Sequence, residues 1–140
     1  MAEGEEMPIG KLVHEAEDFL QLADLTSDIL EVIPSGVVAI DPGGVIRYAN
    51  RTICIRSGYH KSELIGEAVE LLVPESSREI HRTKHRPTYA LFPQDRPMTP
   101  DSPLKLRQRS GAEVPVAIQL APKPHRGGML TVAVIRFLDA

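Results

Sequence analysis

The stretch Ile33-Pro34-Ser35-Gly36-Val37-Val38-Ala39-Ile40-Asp41-Pro42-Gly43-Gly44-Val45-Ile46-Arg47-Tyr48-Ala49-Asn50 decides how the rest of the chain is read. Pro34 closes whatever helix precedes it, because the residue before a proline avoids the α region. The apolar run from Gly36 to Ile40 has the length of a strand, Pro42-Gly43-Gly44 supplies a turn, and Val45 to Tyr48 returns. Asn50 is placed to cap a helix whose body holds Ile53, Cys54 and Ile55 and whose end is Gly58.

Working back towards the start, residues 9–33 repeat apolar side chains at helical spacing. Leu12, Ala16, Phe19, Ala23, Leu30 and Ile33 form one stripe, which Leu22, Leu25, Ile29 and Val32 widen. A stripe of this kind needs covering, by its own domain or by another chain. Residues 1–8 read as a disordered lead. Working forward, short helices are expected over Lys61–Ile65 and Ala68–Val73, and a longer one from Ser76 or Ser77 to Arg86, stopped by Pro87. Residues 93–103 hold four prolines and read as a loop. Leu104 and Leu106 then alternate with basic residues, Ser110-Gly111 turns the chain, and Val114, Val116, Ile118 and Leu120 alternate as in a strand with one buried face. After a turn at His125 to Gly128, Met129 to Leu138 is the last strand. Helix, two strands, several short helices and three strands make an α+β fold, an antiparallel sheet with its helices on one face.

Composition limits the remaining possibilities. With 140 residues the chain holds one domain, and with 4% aromatics and no Trp its core must be aliphatic. One cysteine, Cys54, leaves no internal disulfide and fits a reducing, cytoplasmic setting. The acidic start lacks the basic n-region of a secretory signal, and no apolar run approaches the length of a membrane span. The net charge of −3 conceals an asymmetry: residues 1–32 carry nine acids against Lys11, a net of −8, which leaves +5 on the rest. Such a division favours self-docking or a basic partner and disfavours nucleic acid at the acidic end.

Several pieces, in order, resemble the PAS domain signature: Ile33 to Asp41, the Gly43-Gly44 turn, Asn50, Gly58-Tyr59 and Glu63-Leu64-Ile65-Gly66. Further along come Leu72-Val73-Pro74-Glu75 with Arg78 and His81, Arg96-Pro97-Met98, and Arg109 to Val116. The resemblance covers roughly residues 27–138. It implies a bacterial sensory-box domain over residues 34–140, a five-stranded antiparallel sheet cupped by short helices around a small cavity. The amphipathic helix 9–33 lies in front of that domain. The implied function is a regulatory module of signal transduction that binds a small ligand or a protein partner and relays its state, without catalysis of its own. Relatives of this kind dimerise or act on kinases and other effectors. The leading helix, with Leu12, Ala16, Phe19, Ala23 and Leu30, is the expected contact with a second copy or a separate signalling protein. Because the chain closes at Asp139-Ala140 where relatives run on into an effector, a free-standing domain is the expectation.

The resemblance also places His81 where the haem-binding oxygen-sensor kinases put their proximal iron ligand. On that ground a haem-based gas or redox sensor is the alternative reading, although Pro87 and Ser102 stand where that subfamily keeps its arginines. A ligand-free structural adaptor is the third. Flavin is disfavoured: the Asn-Cys-Arg run of light-sensing relatives is absent, and Cys54 sits inside an aliphatic helix. His81 and His85 lie four apart on one helix but have no evident third zinc ligand. Arg78, Arg82, Lys84, Arg86 and Arg96 read as a solvated basic face rather than a nucleic-acid site, since neither aromatic interleaving nor a helix-turn-helix accompanies them. No nucleophile elbow, P-loop or dinucleotide fingerprint occurs. If a small ligand is bound, the expected lining is Val38, Ile40, Ile53, Ile65, Leu72, Ile80, Leu106, Ile118 and Val132.

Overall fold

The structure, a computed structural model, describes residues 25–98, 104–126 and 128–139. The expectations for the lead 1–8, for Leu12, Ala16, Phe19 and Ala23, and for Ser102 lie outside the described residues. Residues 25–32 are helical (α1). Strands β1 (Gly36–Ile40) and β2 (Ile46–Ala49) follow, then helices α2 (Arg51–Ser57) and α3 (Lys61–Leu64) and 3-10 turns at Val69–Leu72 and Glu75–Ser77. A continuous helical run joins α4 (Arg78–Ile80), a π-helical turn (His81–His85) and α5 (Arg86–Leu91). Strands β3 (Arg96–Pro97), β4 (Leu104–Arg107), β5 (Glu113–His125) and β6 (Gly128–Phe137) complete the order.

The sheet runs β2-β1-β6-β5, antiparallel throughout, with β3 and β4 both paired to the outer edge of β5. β4 faces residues 113–116 of β5 and β3 faces residues 119–120, so five lateral positions hold six strands. The sixth is a correction to the expected loop at 93–103. Pro97 is tolerated in β3 because an edge strand can spare its amide donor. In the register Val38 pairs with Ala133, Ile40 with Thr131, Ile118 with Ile135 and Leu120 with Ala133, which puts all of them on one face.

Pro87 does not stop the helix. The Arg86 N–H reaches back five residues to the His81 carbonyl, closing a wide π turn just ahead of the proline, and α5 continues to Leu91. The proline then enters at the first turn of α5, where its missing donor is tolerable.

Asn50 ties the elements together. Its side chain is fully buried and uses its whole hydrogen-bonding capacity. Oδ1 accepts from the Val37 N–H (2.9 Å) and the Ile53 N–H (3.1 Å), while Nδ2 donates to the carbonyls of Leu30 (2.7 Å) and Ser35 (3.0 Å). The cap of α2, the start of β1 and the end of α1 therefore share one side chain. Two more bonds fix α1: Thr52 Oγ1 donates to the Ile33 carbonyl, and the Tyr48 hydroxyl donates to Glu31 at 3.2 Å. Burial, followed by that carboxylate, pushes the Tyr48 hydroxyl up to about 12, so it stays a donor at neutral pH.

Around this junction the aliphatic core closes. Val38, Ile46, Ala49, Ile53, Leu64, Leu72, Leu106, Val116 and Ile135 are buried together with Tyr59. Each large apolar side chain contributes about 1.5–3 kcal/mol on burial. Gly36 permits the approach of α2, since a Cβ there would stand 3.0 Å from Ile53 Cδ1. Removing the Asn50 amide strands two buried N–H donors and two carbonyls. Asn50→Ala is expected to lose at least about 2 kcal/mol in urea unfolding, more than any exposed substitution on α2. A loss under about 0.5 kcal/mol contradicts the assigned network.

Candidate functional site

The inner face of the sheet is filled at one end only. At the other, β1 presents Val38 and Ile40, β5 presents Ile118 and Leu120, and β6 presents Thr131 and Ala133 towards the helical run. None of these six is aromatic, and of the side chains the helical run brings opposite them only Tyr89 is buried. A cavity of about 760 Å³ results, within the roughly 300–1,000 Å³ typical of small-molecule pockets. Ile80 on the cover stays 46% exposed while lining it. Apolar surface left open in this way costs roughly 25 cal/mol per Å² relative to covering it.

Six of the expected lining residues meet at this cavity: Val38, Ile40, Leu72, Ile80, Leu106 and Ile118. Three do not. Val132 pairs with Ala39 and Ala121, and strand alternation turns it to the opposite face of the sheet from Thr131 and Ala133. Ile53 is fully buried beneath Gly36, inside the packed core. Ile65 is an exposed residue at the end of α3. Cys54 belongs to α2 and is not in the cavity lining; burial pushes its thiol up.

One wall holds a buried charge cluster. Glu70 is almost fully buried; its Oε2 lies 2.6 Å from His81 Nδ1, and it accepts from Arg86 through Nε (3.1 Å) and the guanidinium NH2 (3.2 Å). Gly44, at φ +81, lets the Arg86 guanidinium press on the β1–β2 turn: a Cβ there would fall 2.3 Å from Arg86 Cζ. The arrangement holds His81 by Nδ1 and leaves Nε2 as the nitrogen still able to serve as a ligand or a donor. The expected solvated basic face holds for Arg82 and Lys84, which are exposed, and is corrected for Arg78, Arg86 and Arg96, which are half-buried. Arg86 is locked to Glu70, and Arg78 donates to the carbonyls of Val73 and Leu71. Arg82 pairs with Glu79, and Arg96 lies over the Tyr89 ring at 5.2 Å. Lys84 and His85 have no hydrogen-bond or ion-pair partner among the described residues. Among these residues, no group of three or more His, Cys, Asp or Glu side chains is placed to hold a metal ion. No helix among them is long and apolar enough to cross a membrane.

Glu70 was legible in principle. It is the one charge in the run Ala68-Val69-Glu70-Leu71-Leu72-Val73, and an acid embedded in apolar neighbours must find a partner if it is buried. Its partners, eleven and sixteen residues away, have no local signal.

Of the stripe on residues 9–33, the described part divides. Leu30 and Ile33 are half-buried towards the domain, whereas Leu25, Ile29 and Val32 are exposed.

An antiparallel sheet in this strand order, cupped by short helices around a one-sided cavity, defines a small sensory-type α+β module. The PAS fold family model matches residues 25–140, and the chain belongs to that family. Among solved structures it is similar to the PAS domain of an HTR-like protein from Haloarcula marismortui, at 17% identity and TM-score 0.72, covering 89% of this chain and 98% of that one. It also resembles a PAS domain from a two-component sensor histidine kinase, at 11% identity and TM-score 0.68, with 86% and 98% covered. A third is the PAS domain of the Cronobacter turicensis RpfR quorum-sensing receptor in complex with BDSF, at 16% identity and TM-score 0.61, with 76% and 96% covered. No curated protein matched the sequence.

Asp41, on the cavity rim, shows how the rim responds to acid. Its carboxylate is held below the ordinary value of 3.8, first by the Val45 N–H (3.0 Å), against some desolvation, and then by Arg47. A lowered folded-state value means the stabilisation is present above pH 3.8 and is lost as pH falls through the folded value. Asp41→Asn is expected to cost no more than about 1 kcal/mol at pH 7, given its exposure to solvent. Its difference from wild type should be smaller in urea titrations at pH 3 than at pH 7; a gap that grows on acidification contradicts the assignment.

Proposed function

We propose that this domain is a sensory module of signal transduction. A small molecule with an apolar body occupies the cavity, and its presence is relayed through α1 to a second copy of the chain or to a separate signalling protein. The observation that carries the reading is the unfilled apolar end of the sheet beneath the helical run. That run pairs one wall of the cavity with a π turn, an arrangement that rearranges at less cost than a regular helix. On the far side of the sheet, α1 is hydrogen-bonded to the domain through Asn50, Thr52 and Tyr48, and Leu25, Ile29 and Val32 face outward. A change of strand position in β1 therefore reaches α1 through Asn50, which bonds to both Val37 and Leu30. Solved relatives in a sensor histidine kinase and in a quorum-sensing receptor support a regulatory rather than a catalytic role.

A second reading, haem binding, draws on His81. Its Nδ1 contact with buried Glu70 is the kind of outer-sphere carboxylate contact that orients a ligating imidazole. The apolar lining suits a porphyrin. When bound, haem supplies reversible diatomic-gas or redox chemistry. Glu70 would hold the ring of His81 in place.

Native mass spectrometry of the chain purified without denaturants tests these readings together. A retained small molecule on a dimer, or on a complex with a partner protein, is the expected result. A haem adduct with a Soret band lost in His81→Ala selects the second reading. A bare chain that stays bare after incubation with extract from its source overturns both and leaves a ligand-free adaptor.

A further inference from the structure

We infer that the cavity's ligand is an amphiphile with a negative head, a medium-length carboxylate whose tail lies on the sheet. This rests on the reading of the cavity as a ligand site and adds the chemistry of what enters it. The floor is mainly aliphatic: Ile40, Ile118, Leu120 and Ala133 from the sheet, with the hydroxyl of Thr131 beside them and Ile80 above. Such a floor accommodates a hydrocarbon chain and offers few polar partners to a sugar or nucleotide.

Charge is distributed unevenly along the lining. Lys84 and His85 are exposed, line the cavity and lack partners among the described residues. Tyr89 lies one helical turn beyond His85, and Arg96 covers its ring, which brings a second cation to the end that holds Lys84. Two acids line the cavity, Asp41 and Glu113, and a further lysine, Lys105, stands at the Glu113 end. Asp41 is occupied by Arg47 and the Val45 N–H. Glu113 pairs across the ladder with Arg107, whereas Arg96 pairs with Leu120. Seven residues of strand separate those two points, roughly 23 Å at 3.3 Å per residue. Glu70 adds no free negative charge to the mouth, because His81 and Arg86 already occupy its oxygens. One end of a mainly apolar trough therefore carries Lys84 and Arg96 with neither in an ion pair among the described residues, which is the complement of an aliphatic acid.

Titration calorimetry of the full chain with decanoate, 1-decanol and decyltrimethylammonium tests this. Decanoate is expected to bind at least tenfold tighter than decanol, with the cation weakest and the preference shrinking at high salt. Lys84→Ala combined with Arg96→Gln should bring decanoate to the decanol level and leave decanol unchanged; Lys84→Ala alone, at an exposed unpaired site, should lose part of the preference. Ala133→Trp, which fills the trough, should abolish both while thermal melting shows a folded domain. Equal binding of decanoate and decanol, or a preference that survives the double substitution, overturns the anionic head and leaves the cavity reading intact. Failure of all three probes to bind, or binding that Ala133→Trp does not diminish, overturns both.

Discussion

A single buried carboxamide holds the start of this fold in place. Asn50 accepts from β1 and from the first turn of α2, and donates to the end of α1 and to the Ser35 carbonyl. A buried amide with all four hydrogen-bonding positions occupied is strongly directional, because any displacement strands groups that no water can reach. The junction therefore fixes three elements relative to one another before the rest of the sheet is added. β1 itself is buried on both faces: α2 packs on the inner face at Gly36, beside Val38, and Val37 and Ala39 are buried on the other.

From this anchored end the two halves of the inner face diverge. Where β1, β2 and β4 meet α2 and α3, Ile46, Ile53, Leu64 and Leu106 interlock and exclude water. Where β5 and β6 pass under the helical run, the inward residues of β6 shrink to Thr131 and Ala133 and the facing helix is mostly exposed. The Glu70–His81–Arg86 cluster keeps that helix attached by charge and hydrogen bonding rather than by packing. Electrostatic attachment fixes a position without filling the space behind it. A rigid half joined to a loosely covered half is an arrangement able to rearrange locally without unfolding the whole.

Most of this architecture is written locally. Gly36 to Asn50 announces strand, turn, strand and cap because each step relies on near neighbours, and the alternation from Val114 to Leu120 places one face inward. The resemblance to the PAS signature then supplies the strand order, which no local pattern encodes. Features that depend on distant partners escaped. Pro87 reads as a stop because the wider turn that admits it needs the preceding π geometry. Arg86 reads as solvated because its partner lies sixteen residues back, in a different element. Val132 reads as inward because a continuous apolar strand gives no parity, and only pairing with Ala39 and Ala121 assigns its face. Of the candidate site, the sheet floor was legible and the charged wall was not.

The central claim is that one half of the inner face is locked through Asn50 while the other is loosely roofed. Residue-resolved hydrogen–deuterium exchange of the ligand-free chain measures this difference directly. The account predicts the slowest exchange at the Val37, Ile53 and Ile135 amides, and exchange faster by orders of magnitude across residues 78–91. Protection of that helical run equal to that of β1 would contradict it.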